Sequence, residues 1–242
     1  MMRLVCRVCN LGLLQLMRDG MLLALLLGPF LMGAASWSLL PLASKAIRAQ
    51  WSLSIAPWYP LADAFVILMT SFMVSIAGAF VVLEELDERI SQYYSVTPVA
   101  GTRYNAARLA SPMIWAFSCS FAVKALFGLS RYTMLQTLAV SVLACGNGFA
   151  VAALVATLSH NKVEGLALSK LTGISILGLP AAWFVRGPYQ YLAAFLPSFW
   201  VGKLAAKPQA FDMVLGVVTC AAWIVVSVRM LHKRMSCQAI RA

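Results

Sequence analysis

Charge is what this sequence has least of. Asp, Glu, Lys and Arg make up 11% of its 242 residues, against about 25% in an ordinary soluble domain. Hydrophobic residues make up 62%, which excludes a water-soluble fold, because much of any folded surface must still meet water. Histidine is scarcer still, with two in the chain. No His-Glu-x-x-His segment occurs, so a helical zinc site of that kind is excluded. No G-x-x-x-x-G-K-[ST] segment occurs either. Gly202-Lys203 is followed by Leu204 and lacks the earlier glycine, so the chain binds no nucleotide through a P-loop. Cys6 and Cys9 form a C-x-x-C with no second pair, a weak signal. Cys119, Cys145 and Cys220 fall inside apolar runs and read as small apolar residues. No structural disulfide is implied, since cytoplasmic thiols stay reduced.

What is abundant is long, continuous apolar sequence, with a mean hydropathy of +0.83. The bilayer must be the solvent for it. Only helices and closed barrels satisfy every backbone N–H and C=O there, and long unbroken runs select helices. The expected fold is all-α and polytopic, a single transmembrane domain over residues 1–242. A span needs about 20 mostly apolar residues. Six are expected: Met21–Leu42, Leu61–Leu83, Ala106–Leu129, Thr133–Leu158, Leu166–Val185 and Phe211–Leu231.

Basic residues set the orientation. With the N-terminus inside, twelve fall on the inner side, among them Arg3, Arg18, Arg89, Lys162 and Lys233. Six fall outside: Lys45, Arg48, Arg131, Arg186, Lys203 and Lys207. Both termini are therefore expected in the cytoplasm. The formal net charge of +11 is explained by an anionic inner leaflet, without nucleic acid. Residues 1–19 are too long and basic for a cleavable signal. Arg3, Arg7, Asn10 and Arg18 recur at helical spacing opposite Leu4, Val8, Leu11 and Leu14, which reads as an amphipathic helix on the inner surface. A disordered basic leader is the alternative. Outer connections carry Trp51, Trp58 and Tyr59, then Tyr189, Tyr191, Phe199 and Trp200, as an interfacial aromatic belt does. The second of these is apolar yet too short to span, and reads as a re-entrant or surface-lying helical hairpin.

Four of the eight acidic residues sit together at Glu84, Glu85, Asp87 and Glu88, where the second span ends. No helix breaker occurs from Glu84 to Tyr94, so the span is expected to continue as helix beyond the membrane. Pro98 interrupts it and disfavours helix at Thr97, and Thr97 can cap a new turn. The expectation is a short helix held between two spans; a solvated acidic loop is the alternative.

This stretch, with Thr97-Pro98-Val99, Tyr104 and Arg108 following, resembles the first cytoplasmic loop of type-2 ABC transporter permeases. Asn161-Lys162-Val163-Glu164-Gly165 resembles a recurrent segment between their fourth and fifth spans, and Leu196-Pro197-Ser198-Phe199-Trp200 resembles their last outer hairpin. The resemblance covers nearly the whole chain in topology, nearest to bacterial exporters of drugs, lipids or peptide antibiotics. It implies that the 84–101 loop is a coupling helix docking on a separate ATPase subunit, with Glu84, Glu85, Glu88, Arg89, Thr97 and Pro98 as its residues. Asn161, Lys162 and Glu164 belong to the second cytoplasmic loop. The N-terminal helix becomes the elbow helix. A second permease copy, identical or related, completes the pathway among membrane lipids. This chain then carries no catalytic residue, metal or cofactor, and ATP and Mg belong to the partner ATPase.

Two other classes share parts of this pattern. Glu84, Glu85 and Arg89 fit the Glu-Glu-x-x-x-Arg signature of CAAX-type intramembrane proteases, but His160 and His232 lack the flanking residues of the histidine motifs. An ion-coupled secondary transporter usually shows repeats and buried midplane acids. No repeat is evident, and each acid maps to a span end or loop. Polar residues inside spans are the candidates for a substrate route: Lys124, Gln136 and Asn147. Lys124 can instead snorkel to an interface, and the two amides can join helices by hydrogen bonds. Asp63 and Asp212 read as ordinary helix-start acids.

Overall fold

A computed structural model describes residues 19–87, 102–159, 161–185 and 187–241, with side chains over the same range except 85–111 and 231–241. Among these residues it is helical, without strands. Helix α1 is Gly20–Trp51, α2 Tyr59–Asp87, α3 Thr102–Phe127 and α4 Met134–Leu158. Next come α5 (Lys162–Thr172), α6 (Gly178–Phe184), α7 (Pro197–Ala206) and α8 (Ala210–Arg241). Short 3₁₀ turns precede α2, link α5 to α6, and precede α7. Among the described residues, five stretches are long and apolar enough to cross a membrane: Gly20–Trp51, Ala56–Glu84, Met134–Leu158, Lys162–Phe184 and Ala210–Met230. The apolar, described part of α3 is Pro112–Phe127.

Caps mark where helices begin. The Asp19 carboxylate accepts from Met21 N at 2.9 Å, and the Asn161 side-chain oxygen accepts from Glu164 N at 2.8 Å. Both satisfy first-turn donors that a helix leaves open. Helix α1 outruns its expected end because neither Pro29 nor Pro41 breaks it. It stops at Ser52, whose left-handed backbone (φ 55°) lets its N–H reach the Arg48 carbonyl at 3.1 Å.

Helices α2 and α4 form the buried centre, and α1, α3 and α8 pack around them. Small residues permit the approach. A Cβ on Gly148 would sit 2.7 Å from the Ser71 carbonyl oxygen, and one on Gly146 3.0 Å from Cys220. Close helix packing is therefore what the Gly146-Asn147-Gly148 run supplies. Pro112 of α3 fills the space beside Gly78, and the Ser71 and Ser120 hydroxyls meet at 2.7 Å between α2 and α3. Cys119, Cys145 and Cys220 are buried and free.

The expected fifth span is not one continuous α-helix. Gly173–Leu177 tightens to 3₁₀ between α5 and α6. Pro180 explains part of this, since it has no N–H to give the Ile176 carbonyl. Packing explains the rest: Gly178 lies directly against Ser198 and Phe199, and a Cβ on Gly202 would meet the Leu179 carbonyl at 2.8 Å. The following connection folds inward as α7, opened by Pro197, with Phe199 and Val201 fully buried. Side chains satisfy its surroundings. Trp183 Nε1 donates to the Gly202 carbonyl at 3.0 Å, and Trp200 Nε1 to the Ala194 carbonyl at 2.9 Å.

Candidate functional site

The loop end of the bundle gathers three chain segments. Lys162, at the start of α5, pairs with Glu84 of α2 at 2.9 Å and with Asp19, the cap of α1, at 3.6 Å. All three side chains are about one-third exposed or slightly more. The contact is kept close by Gly165, whose absent Cβ would lie 2.7 Å from Leu83 and 3.2 Å from Phe80. The Glu84 hydrogen bond, with Asp19 adding charge, raises the Lys162 pKa above its ordinary value. Asn161 caps α5 and Glu164 occupies its first turn, where the helix dipole favours an acid.

So the structure brings Glu84 of the first loop onto Lys162 of the second. Helix α2 does run past the membrane stretch to Asp87. Glu85 lies in that helix with its side chain outside the description, and Glu88, Arg89, Thr97 and Pro98 lie outside the described residues, as do His160 and all but the last residue of the N-terminal helix expected over 1–19.

The opposite end carries a second cluster. Lys124 Nζ lies 2.5 Å from Asp63 Oδ2, and the two side chains are only 8% and 4% exposed. Lys124 also donates to the Ser130 carbonyl at 2.9 Å and stands 4.3 Å above the Tyr132 ring. Asp63 accepts from Leu129 N at 3.1 Å, from Ser130 N at 2.7 Å and from the Ser130 hydroxyl. The Tyr132 hydroxyl donates to the Pro60 carbonyl at 2.5 Å. Burial, and then the Asp63 carboxylate, raise the Tyr132 pKa well above the usual phenol. Asp63 thus caps the α3–α4 turn rather than its own helix, and Lys124 neither snorkels nor faces an open route. The signal was present in sequence as opposite charges at the same end of adjacent antiparallel spans.

The two amides differ. Gln136 Nε2 donates to the Leu204 carbonyl of α7 at 2.8 Å, a cross-helix tie. Asn147 is buried, and its amide nitrogen has no protein partner. Asp212 sits in the first turn of α8. No group of three His, Cys, Asp or Glu side chains converges among the described residues. Among the described residues, the deeply buried acid with a partner is Asp63, bound to a lysine and to backbone donors, unlike an acid free to exchange ions.

Packed apolar helices, an inward-folded helical hairpin and ionic clusters at opposite ends define a polytopic helical membrane protein. A family profile described as "Fluoroquinolones export permease protein Rv2686c-like" matches residues 12–231, and the chain belongs to that family. Two curated relatives from Mycobacterium tuberculosis are the fluoroquinolones export permease proteins MT2760 (strain CDC 1551 / Oshkosh) and Rv2686c (strain ATCC 25618 / H37Rv). Each is 27% identical over 189 residues, covering 77% of this chain and 75% of the relative. No solved structure matches. Membership agrees with the type-2 permease resemblance of the two loops and makes the chain the transmembrane subunit of an exporter rather than an ion-coupled transporter.

Proposed function

We propose that this permease is half of an ATP-driven export pathway, coupled to a separate ATPase subunit through the 84–101 loop. The observation carrying this reading is the Glu84–Lys162 contact, which ties the acidic loop to the Asn161–Glu164 segment at one end of the bundle. Glu85, Glu88, Arg89, Thr97 and Pro98 continue the docking surface, and both termini share the cytoplasmic side with it. A second permease copy supplies the other half, and ATP and Mg belong to the ATPase. Of the three polar span residues, this reading keeps Asn147 for the pathway, because its donor is unpartnered. It gives Lys124 and Gln136 to the scaffold. The cargo class is an amphipathic aromatic drug of the fluoroquinolone kind, on the strength of the relatives' names.

The test pairs co-purification with drug accumulation. Cells expressing the permease and its neighbouring ATPase should accumulate less fluoroquinolone than cells lacking them. Glu84→Lys with Glu88→Lys should insert normally but lose both ATPase association and efflux. Unchanged efflux in that variant would overturn the docking assignment, and a permease that never co-purifies with an ATPase would overturn the class of motor.

A further inference from the structure

At the end of the bundle away from Glu84 and Lys162 lies a cavity of about 390 Å³. It is bounded by Leu40 of α1, Trp58 of the 3₁₀ turn, Ala62 and Phe65 of α2, and Ile176 and Leu179 of the broken helix. The volume is in the range of ligand sites, about 300–1,000 Å³. No charged side chain lines it, and its only side-chain polar atoms are the Trp58 indole nitrogen and the Tyr59 hydroxyl. A ligand rich in polar groups would leave them unpaired there. A hydrocarbon would not, since roomy apolar cavities stay dry and take apolar guests.

Three observations choose among hydrocarbons. First, the cavity opens beside exposed apolar surface: Leu39, Leu42, Leu177 and Phe184 are all more than half exposed. Second, its rim is aromatic. Trp58 packs against Phe184 at 5.2 Å and Trp183 at 6.4 Å, as belts do at the level of lipid headgroups. Third, α1 continues past Leu40 to Lys45 and Arg48, both exposed and without an ion pair among the described residues. Arg48 lies eight residues on, about 12 Å along the helix at ~1.5 Å per residue. That puts two cations beyond the apolar slot on the same helix, Arg48 within about a quarter-turn of the Leu40 face, the order of charges in an anionic phospholipid standing in one half of the bilayer.

We infer that this cavity holds one acyl chain of an anionic phospholipid, whose headgroup is held by Lys45 and Arg48. The site is independent of the ATPase assignment. It also differs from a cargo route, which would need partners for the cargo's polar groups.

Native mass spectrometry tests it, on the full chain extracted from vesicles of mixed phosphatidylglycerol and phosphatidylcholine. The wild type should retain one phosphatidylglycerol per chain. Ala62→Trp, which fills the cavity from α2, and Leu40→Trp, which fills it from α1, should each retain none. Lys45→Glu with Arg48→Glu, surface changes that leave packing intact, should lose the preference for phosphatidylglycerol by tenfold or more. Equal retention in wild type and filled variants would overturn the inference. So would displacement of the lipid by a fluoroquinolone, marking a cargo site, or dissociation of a dimer in the filled variants, marking a subunit interface. If a filled variant fails to fold, the charge-reversal pair decides alone: unchanged lipid preference refutes the site.

Discussion

Removing the Lys124 charge should destabilise this protein far less than removing the Asp63 carboxylate, although the two are partners in one ion pair. The pair is buried, at 8% and 4% exposure, and breaking a buried pair typically costs about 3–5 kcal/mol because the remaining charge is left uncompensated. Here the two remainders are unequal. After Lys124→Met, Asp63 keeps the Leu129 and Ser130 amides and the Ser130 hydroxyl. Three donors to a carboxylate are strong, charge-assisted bonds, so the loss should fall near or below the lower end, about 2–3 kcal/mol. After Asp63→Ala, Lys124 keeps Ser130 and the Tyr132 ring, but two turn amides are orphaned as well, each costing about 1–3 kcal/mol. The expected loss is at the upper end of about 3–5 kcal/mol or beyond it. The double variant should recover part of it, with a coupling of about 0.5–3 kcal/mol. Unfolding against SDS mole fraction, followed by tryptophan fluorescence, gives all four corners of the cycle. If both single variants stay within about 0.5 kcal/mol of wild type, as exposed sites do, the cluster is not a buried staple. If Lys124→Met reduces drug export while stability is untouched, Lys124 belongs to the pathway and its assignment to the scaffold fails.

Three further outcomes follow from the same geometry. Gly148→Val drives a Cβ to within 2.7 Å of the Ser71 carbonyl and Ser75 hydroxyl oxygens, and overpacking of this kind costs about 1–3 kcal/mol; the SDS midpoint should fall accordingly. Lys162→Glu should change stability by less than about 1 kcal/mol, because the pair is partly exposed and screened, yet lower drug efflux by tenfold or more if the two loops act together. The Lys162 pKa is raised in the fold. Its contribution is therefore fully present below lysine's ordinary 10.5 and is lost only as pH rises through the higher folded value, so thermal midpoints between pH 7 and pH 9 should not fall on its account.

Much of the fold was legible because bilayer physics leaves few choices: a long apolar run must be helix, and the expected ends of α2 and α4 lie within a few residues of those observed. The broken fifth helix was not legible. Leu166–Val185 is apolar throughout its centre, and hydropathy does not report that Gly178 touches Ser198 twenty residues later. Lys124 was ambiguous for the same reason. Its neighbours in sequence are alanine and valine, while its partner lies 61 positions earlier in Asp63. Local capping rules assign Asp63 to its own helix, and the α3–α4 turn overrides them with three donors from residues 129 and 130. The loop-end cluster fared better in part. Glu84 and Lys162 were singled out on separate motifs, and packing at Gly165 joins them; Asp19 was missed because it reads as an end of the leader, not as a third member.

The distribution of burial separates a packed core from helices at its edge. The apolar windows of α2 and α4 are each 78% buried, whereas those of α1 and of the α5–α6 stretch are 17% and 28% buried. A packed core transmits force as a unit, because its side chains have few alternative arrangements. The ion pairs fall on this division unevenly. Asp63–Lys124 joins α2 to α3 as a buried pair that also holds the α3–α4 turn, out of reach of water. Asp19–Lys162–Glu84 joins α1, α5 and α2, and so crosses from the core to two of the loosely held helices, α8 being the third. It is also the weaker, since each partner reaches water. On the proposed reading, a motor pressing on the loop after Glu84 acts at the one ionic contact, among the described residues, that can release α1 and α5 without disturbing the core. A flexible, reducible thiol-reactive cross-linker between cysteines placed at 19 and 162 separates this from a static clasp. It should leave folding intact and arrest efflux until reduced; full efflux with the bridge closed would mean that α1 and α5 travel together and that the joint lies elsewhere.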